Sequence, residues 1–163
     1  MAKRLKSNEA FRDKRVHIGS PGRTGKMSGE TRCPECGLIF HDGVWKESAT
    51  PILTKPAGHL CPACQQIRDG ITGGIVEFDG GFVLQHREEL LNRIRNLEMQ
   101  TRKERPMERI INIKEAKNKI VVSATTEHLI AKIGKAILRD FGGSLSLKYA
   151  PEEKFATAKW HRD

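Results

Sequence analysis

Residues 33–37 read Cys-Pro-Glu-Cys-Gly and residues 61–64 read Cys-Pro-Ala-Cys. These hold all four cysteines of the chain, as two Cys-x-x-Cys pairs with twenty-four residues between the pairs. Two residues between ligands let the backbone curl so that both sulfurs and the intervening amides face one ion. Four thiolates then fill a tetrahedral shell and leave no position open for water or substrate. The pattern predicts one structural Zn2+ held by Cys33, Cys36, Cys61 and Cys64. A thiol–disulfide redox site would need one such motif at the start of a helix in a thioredoxin-like unit. Two similar Cys-Pro-x-Cys motifs are better explained by one shared metal.

The residues around the cysteines fit that reading. Gly37 can take positive φ and bring its amide toward a sulfur. Leu38-Ile39-Phe40 and Val44-Trp45 flank Asp42-Gly43, a short-hairpin signal. After the second pair, Gln65-Gln66-Ile67-Arg68 suits a short helix ending at Gly70. Knuckle, hairpin, then knuckle opening a helix is a zinc-ribbon or treble-clef layout over residues 33–70. Four cysteines suffice for the metal, so His41 and His59 are expected on the surface or just outside the ligand shell. Phe40 and Trp45 are expected to pack a small core, although they and Phe11 have the chemistry to stack on bases.

Upstream, residues 1–32 carry nine Lys/Arg against three Asp/Glu, a net of +6 out of +9 for the whole chain. Apolar residues there are sparse, and Gly19, Ser20, Pro21, Gly22 and Gly25 interrupt any regular element. Such a segment cannot bury enough surface to fold alone. It reads as a basic flexible arm whose Lys3, Arg4, Lys6, Arg12, Lys14, Arg15, Arg23, Lys26 and Arg32 would lie along phosphates. The plainer alternative is a solvated tail with no specific partner.

Downstream, residues 71–163 alternate strand and helix patterns. Ile75–Phe78 and Phe82–Leu84 flank Asp79-Gly80-Gly81 and predict a hairpin. His86–Arg105 has Leu90, Leu91, Ile94 and Leu97 at helical core spacing and must stop before Pro106. Strands are expected at Glu108–Ile113 and Lys119–Ser123. A second helix, Glu127–Phe141, is capped by Thr125 or Thr126 and ended by Gly142-Gly143. Strands Ser144–Tyr149 and Phe155–Trp160 close the chain. The order β-α-β-β-α-β is that of a split βαβ, ferredoxin-like sandwich, here with an extra edge strand. The fold class is therefore α+β, in three parts: arm 1–32, zinc module 33–70 and sandwich 71–163.

The second helix separates its residues well. Ile130, Ile133, Ile137 and Phe141 make one face, and His128, Lys132, Lys135 and Arg139 make another. Lys132, Lys135 and Arg139 suit a row of phosphates, and equally suit the solvated side of an amphipathic helix. The first helix mixes both signs of charge and reads as a solvated face. Lys119–Ser123 is Lys-Ile-Val-Val-Ser, without the aromatic base-stacking signature of the RRM sheet.

The rest of the sequence narrows the class. There is no G-x-S-x-G, P-loop or H-E-x-x-H, so no enzyme activity and no small-molecule substrate are expected. No apolar run approaches the length of a membrane span, and the basic N-terminus lacks the apolar stretch of a secretory signal. A cytoplasmic protein is expected. Four thiolates and a divalent ion would bring the net charge from +9 to about +7. That still favours nucleic acid or another anionic surface.

Beyond the cysteines, GGIVEFDGGFVLQHREELLNRIRN (residues 73–96) and IVVSATTEHLIAKIGKAILRDFGGSLSLKY (residues 120–149) carry a resemblance. With the two Cys-Pro-x-Cys pairs they look like small bacterial zinc-ribbon proteins. Those in turn are similar to the N-terminal part of the archaeal and eukaryotic Nmd-three family, the export adaptor of the large ribosomal subunit. The resemblance spans about residues 33–160. It implies a non-enzymatic, ribosome-associated protein that binds ribosomal RNA of the large subunit around the tRNA sites. Silencing of idle ribosomes (hibernation) and subunit assembly are both compatible roles. Two departures stand out. The family's zinc region has more cysteine pairs and a second metal, and its export tail has no counterpart here. The alternative is a zinc-ribbon DNA-binding or transcription-associated factor.

Overall fold

A computed structural model describes residues 31–47 and 58–163. It is a mixed helix-and-sheet structure with two sheets and two clusters of buried side chains. The smaller sheet has three short strands, β1 (Thr31–Arg32), β2 (Ile39–His41) and β3 (Val44–Lys46), in that order and all antiparallel. The β2–β3 hairpin turns through Asp42 and Gly43 at φ 50° and 80°, the two left-handed positions that an Asp-Gly turn provides. Thr31 and Arg32 pair with Phe40 and Ile39, so the last residues assigned to the arm belong to this sheet. Helix α1 (Pro62–Asp69) follows, with proline at its start and the left-handed Gly70 as its stop.

The larger sheet is built from β4 (Gly74–Asp79), β5 (Ile110–Ala116), β6 (Lys119–Ala124), β7 (Ser144–Ala150) and β8 (Phe155–His161), in the order β5-β6-β4-β8-β7. β4 is antiparallel to β6 and parallel to β8. Alternate residues of the central strands are buried: Val76 and Phe78, Ile120 and Val122, Ala156, Ala158 and Trp160. Thr157, Lys159 and His161 point the other way and are exposed. The buried face is covered by α2 (Gly81–Gln85), α3 (Arg87–Glu104) and α4 (Glu127–Phe141). Leu90, Leu91 and Ile94 of α3 meet Leu129, Ile130, Ile133 and Ile137 of α4 in that core.

Two sequence expectations are corrected. Phe82–Leu84 is helical rather than the second strand of a hairpin. β4 is already bonded on both sides, by β6 and β8, so a following strand has no free edge to join. Gly80, at φ 109°, turns the chain instead; a Cβ there would lie 2.1 Å from the Arg162 carbonyl oxygen. Phe82 and Val83 then pack into the core on a single helical turn. The second correction concerns the additional strand. It is not at an edge: β8 lies inside the sheet, between β4 and β7.

Among the described residues no helix is long and apolar enough to cross a membrane.

Candidate metal centre

The sulfurs of Cys33, Cys36, Cys61 and Cys64 all lie within 4.8 Å of one another. Cys36 and Cys61 are 3.7 Å apart. A tetrahedral shell with metal–sulfur distances near 2.3 Å has edges of about 3.8 Å, so the cluster fits one four-coordinate ion. Local structure explains this convergence. Gly37, at φ 77°, folds the first pair back so that its N–H reaches the Cys33 carbonyl at 3.0 Å. Cys61 is the N-cap of α1 and accepts from the Cys64 N–H at 3.4 Å, which sets the second pair on one helical turn. The Cys61 N–H points at the Cys33 sulfur, 3.3 Å away. Leu38 and Ala63 are buried beside the cysteines, with Trp45, Leu60 and Met107 packed against them.

A residue not singled out from the sequence completes the site. Arg109, in the loop before β5, is only 4% exposed and sends its guanidinium into the cluster. Nη1 lies 3.2 Å from the Cys64 sulfur, and Nη2 lies 3.2 Å from that of Cys36 and 3.8 Å from that of Cys61. Nε donates to the Pro106 carbonyl at 2.9 Å, so every edge of the fork is engaged. Burial alone would push the guanidinium pKa down, but its bond to Cys36 and the field of Cys36 and Cys61 outweigh that and hold it above its ordinary value. The bond from the Cys61 thiol holds Cys36 down to about 4, with Arg109 adding to the effect. Cys61 is raised by donating that bond, and Cys64 by its burial. Nothing in the spacing announces Arg109, which lies 45 and 73 positions from the cysteines it touches.

The histidines near the pairs do not join the cluster. His41 and His59 are exposed, and His41 pairs with Asp42 at 3.1 Å. Phe40 and Trp45 pack with ring centroids 5.3 Å apart.

The basic residues proposed for phosphate contact divide in two. Lys3, Arg4, Lys6, Arg12, Lys14, Arg15, Arg23 and Lys26 lie outside the described residues. Arg32 sits in β1, next to Cys33. On α4, His128, Lys132, Lys135 and Arg139 are exposed and line one open groove of about 560 Å³, together with Leu97, Ala131, Ala136 and Tyr149. Tyr149, 53% exposed on β7, is an aromatic that the sequence reading did not place beside this stripe. Arg139 also pairs with Asp140, which Arg93 holds from α3. Hydrogen bonds from Arg139 and Arg93 lower the Asp140 pKa.

Comparison with protein-family models, curated proteins and solved structures finds no match to this chain.

Proposed function

We propose that this is a non-enzymatic, ribosome-associated RNA-binding protein whose cysteine cluster holds one structural zinc. In this reading the sheet and helices form a split βαβ sandwich with β8 inserted, and serve as the docking body. One observation carries the RNA half: Lys132, Lys135 and Arg139 share a groove with the exposed ring of Tyr149. Cations in a row suit a phosphate backbone, and an aromatic face beside them suits an unpaired base. The helix that bears them is fixed by Ile130, Ile133 and Ile137 in the core, so the charges sit on a rigid scaffold. The closed four-sulfur shell supports a structural role for the metal, because no coordination position is left for a reactant. The large-subunit location, around the tRNA sites, rests on the resemblance described above. Hibernation and assembly are the two roles it suits.

Sucrose-gradient fractionation of lysate tests the reading. Co-migration with ribosomal subunits is expected. Association with the nucleoid would favour the DNA-binding alternative, and protein remaining at the top of the gradient would refute both. Elemental analysis of protein purified without chelator should give one zinc per chain.

A further inference from the structure

We propose that Arg109 is an outer-shell group of the metal centre, supplied by the sandwich, and that it holds the ion and the two parts of the chain together. The proposal rests on the cysteine cluster being a metal site. Four thiolates around a divalent ion leave a net charge of about −2 in a shell where three of the four cysteines are buried. Buried charge without a partner is costly. Arg109 brings a guanidinium against these sulfurs, and its single positive charge offsets half of that net charge.

Geometry makes the role specific to arginine. The planar fork places one N–H on Cys64, from the second pair, and one on Cys36, from the first, each at 3.2 Å. It therefore bridges the two knuckles as well as the two parts of the fold. A lysine ammonium is a single point on a flexible stem and cannot span both sulfurs in this way. The fork is pre-positioned. Its backbone N–H donates to Thr125 Oγ1 at 3.0 Å, its carbonyl accepts from the Thr125 N–H at 2.9 Å, and Nε is held by Pro106. Beside it, Met107 packs on the cysteine cluster, and Gln66 of α1 donates to the Thr125 carbonyl at 3.1 Å. The loop 106–109 and the turn at Thr125 thus form a seat for the metal module. Hydrogen bonds to coordinated sulfur withdraw electron density from it, which stabilises the thiolate charge and slows its protonation and loss.

The test uses the full chain. Wild type is first analysed for metal; one ion per chain is expected, and none would overturn the metal reading and this proposal with it. Arg109→Met and Arg109→Lys are then compared with wild type, with circular dichroism as the folding control. Outer-shell changes weaken metal binding by about 10–100-fold, so Arg109→Met should release its ion to a competing chelator that much more readily. Arg109→Lys should recover only part of the loss. In the Co2+-substituted protein the sulfur-to-metal charge-transfer band should move to lower energy in Arg109→Met, because electron density returns to the thiolates. A folded Arg109→Met with wild-type metal retention and an unmoved band would sink the proposal and leave the metal site itself standing. Should Arg109→Met not fold, 113Cd-substituted wild type decides: the Arg109 guanidinium protons should show scalar coupling to the metal through the sulfurs, and absence of that coupling would overturn the assignment.

Discussion

The hydroxyl of Thr125 accepts from the backbone N–H of Arg109 at 3.0 Å and donates its own proton to the Met107 carbonyl at 2.7 Å. One buried side chain therefore fixes the loop that delivers the guanidinium to the cysteines. Thr125→Val keeps the shape, removes both bonds and orphans a buried N–H. The expected cost is about 1–3 kcal/mol in urea denaturation of the metal-loaded protein. Thr126, the neighbouring hydroxyl, has the separate task of capping α4 by accepting from the Leu129 N–H at 3.2 Å. Thr126→Ala should cost about 1 kcal/mol and leave metal retention unchanged.

Trp160 is fully buried on β8, and its Nε1–H donates to the Gly142 carbonyl at 2.8 Å. It also packs against Phe78, with ring centroids 5.9 Å apart. Because β8 is interior, this side chain ties the last strand both to the core and to the end of α4. Trp160→Ala should destabilise the protein by about 3–5 kcal/mol. Trp160→Phe keeps much of the apolar contact but leaves the carbonyl unpaired, and should fall well short of that loss. Chemical denaturation of both variants checks the order.

Thr101 lies on the buried side of α3, and its hydroxyl has no hydrogen-bond partner among the described residues. An unpaired buried hydroxyl costs free energy that an apolar group of the same shape does not. Thr101→Val should therefore stabilise the protein, by about 1 kcal/mol. A lower denaturation midpoint for this variant would show that the hydroxyl does find a partner.

His161 sits between Asp79 and Asp163, at 2.5 and 3.3 Å. The bond to Asp79, and then that to Asp163, raises its pKa above the ordinary histidine value. The charged ring is favoured in the folded state. Its contribution to stability is thus complete below the unfolded midpoint of about 6.5 and is lost as pH rises through the higher folded value. Lys119, the register partner of Asp79 on β6, directs its ammonium to Glu77 at 2.8 Å, and the His161 site is exposed, so screening keeps the effect small. In an NMR titration the His161 ring should show an elevated midpoint that falls in Asp79→Asn.

Lys132 and Lys135 line the α4 groove without packing into the core. Changing both to Glu should alter stability by no more than about 0.5 kcal/mol per site and abolish pelleting with ribosomes. Arg139 is left intact in this test because a carboxylate there would face Asp140. Normal co-pelleting of the folded double variant would return the stripe to a solvated helix face.

Local signals settled much of this structure. Gly37, the Asp42-Gly43 turn and Gly70 act through contacts within a few residues and stand where the local pattern predicted, although the Gly37 N–H bonds the Cys33 carbonyl rather than a sulfur. The isoleucine face of α4 and the exposed stripe opposite it follow directly from helical periodicity. Where the reading failed, the deciding contact was distant. Asp79-Gly80-Gly81 carries the signature of a hairpin, yet β6 and β8 had taken both edges of β4, and strand pairing is a property of the whole sheet. The interior place of β8 has the same origin. Arg109 is the clearest case: by sequence it is one of 29 basic residues, and only packing of the 106–109 loop on the cysteine cluster brings its guanidinium to two sulfurs from different knuckles. Sequence by itself determined which residues can bind a metal and which face of a helix is apolar, because residue type and local periodicity carry both. Tertiary structure decided what surrounds the metal and which strands pair, because burial and charge compensation are set by residues far apart in the chain.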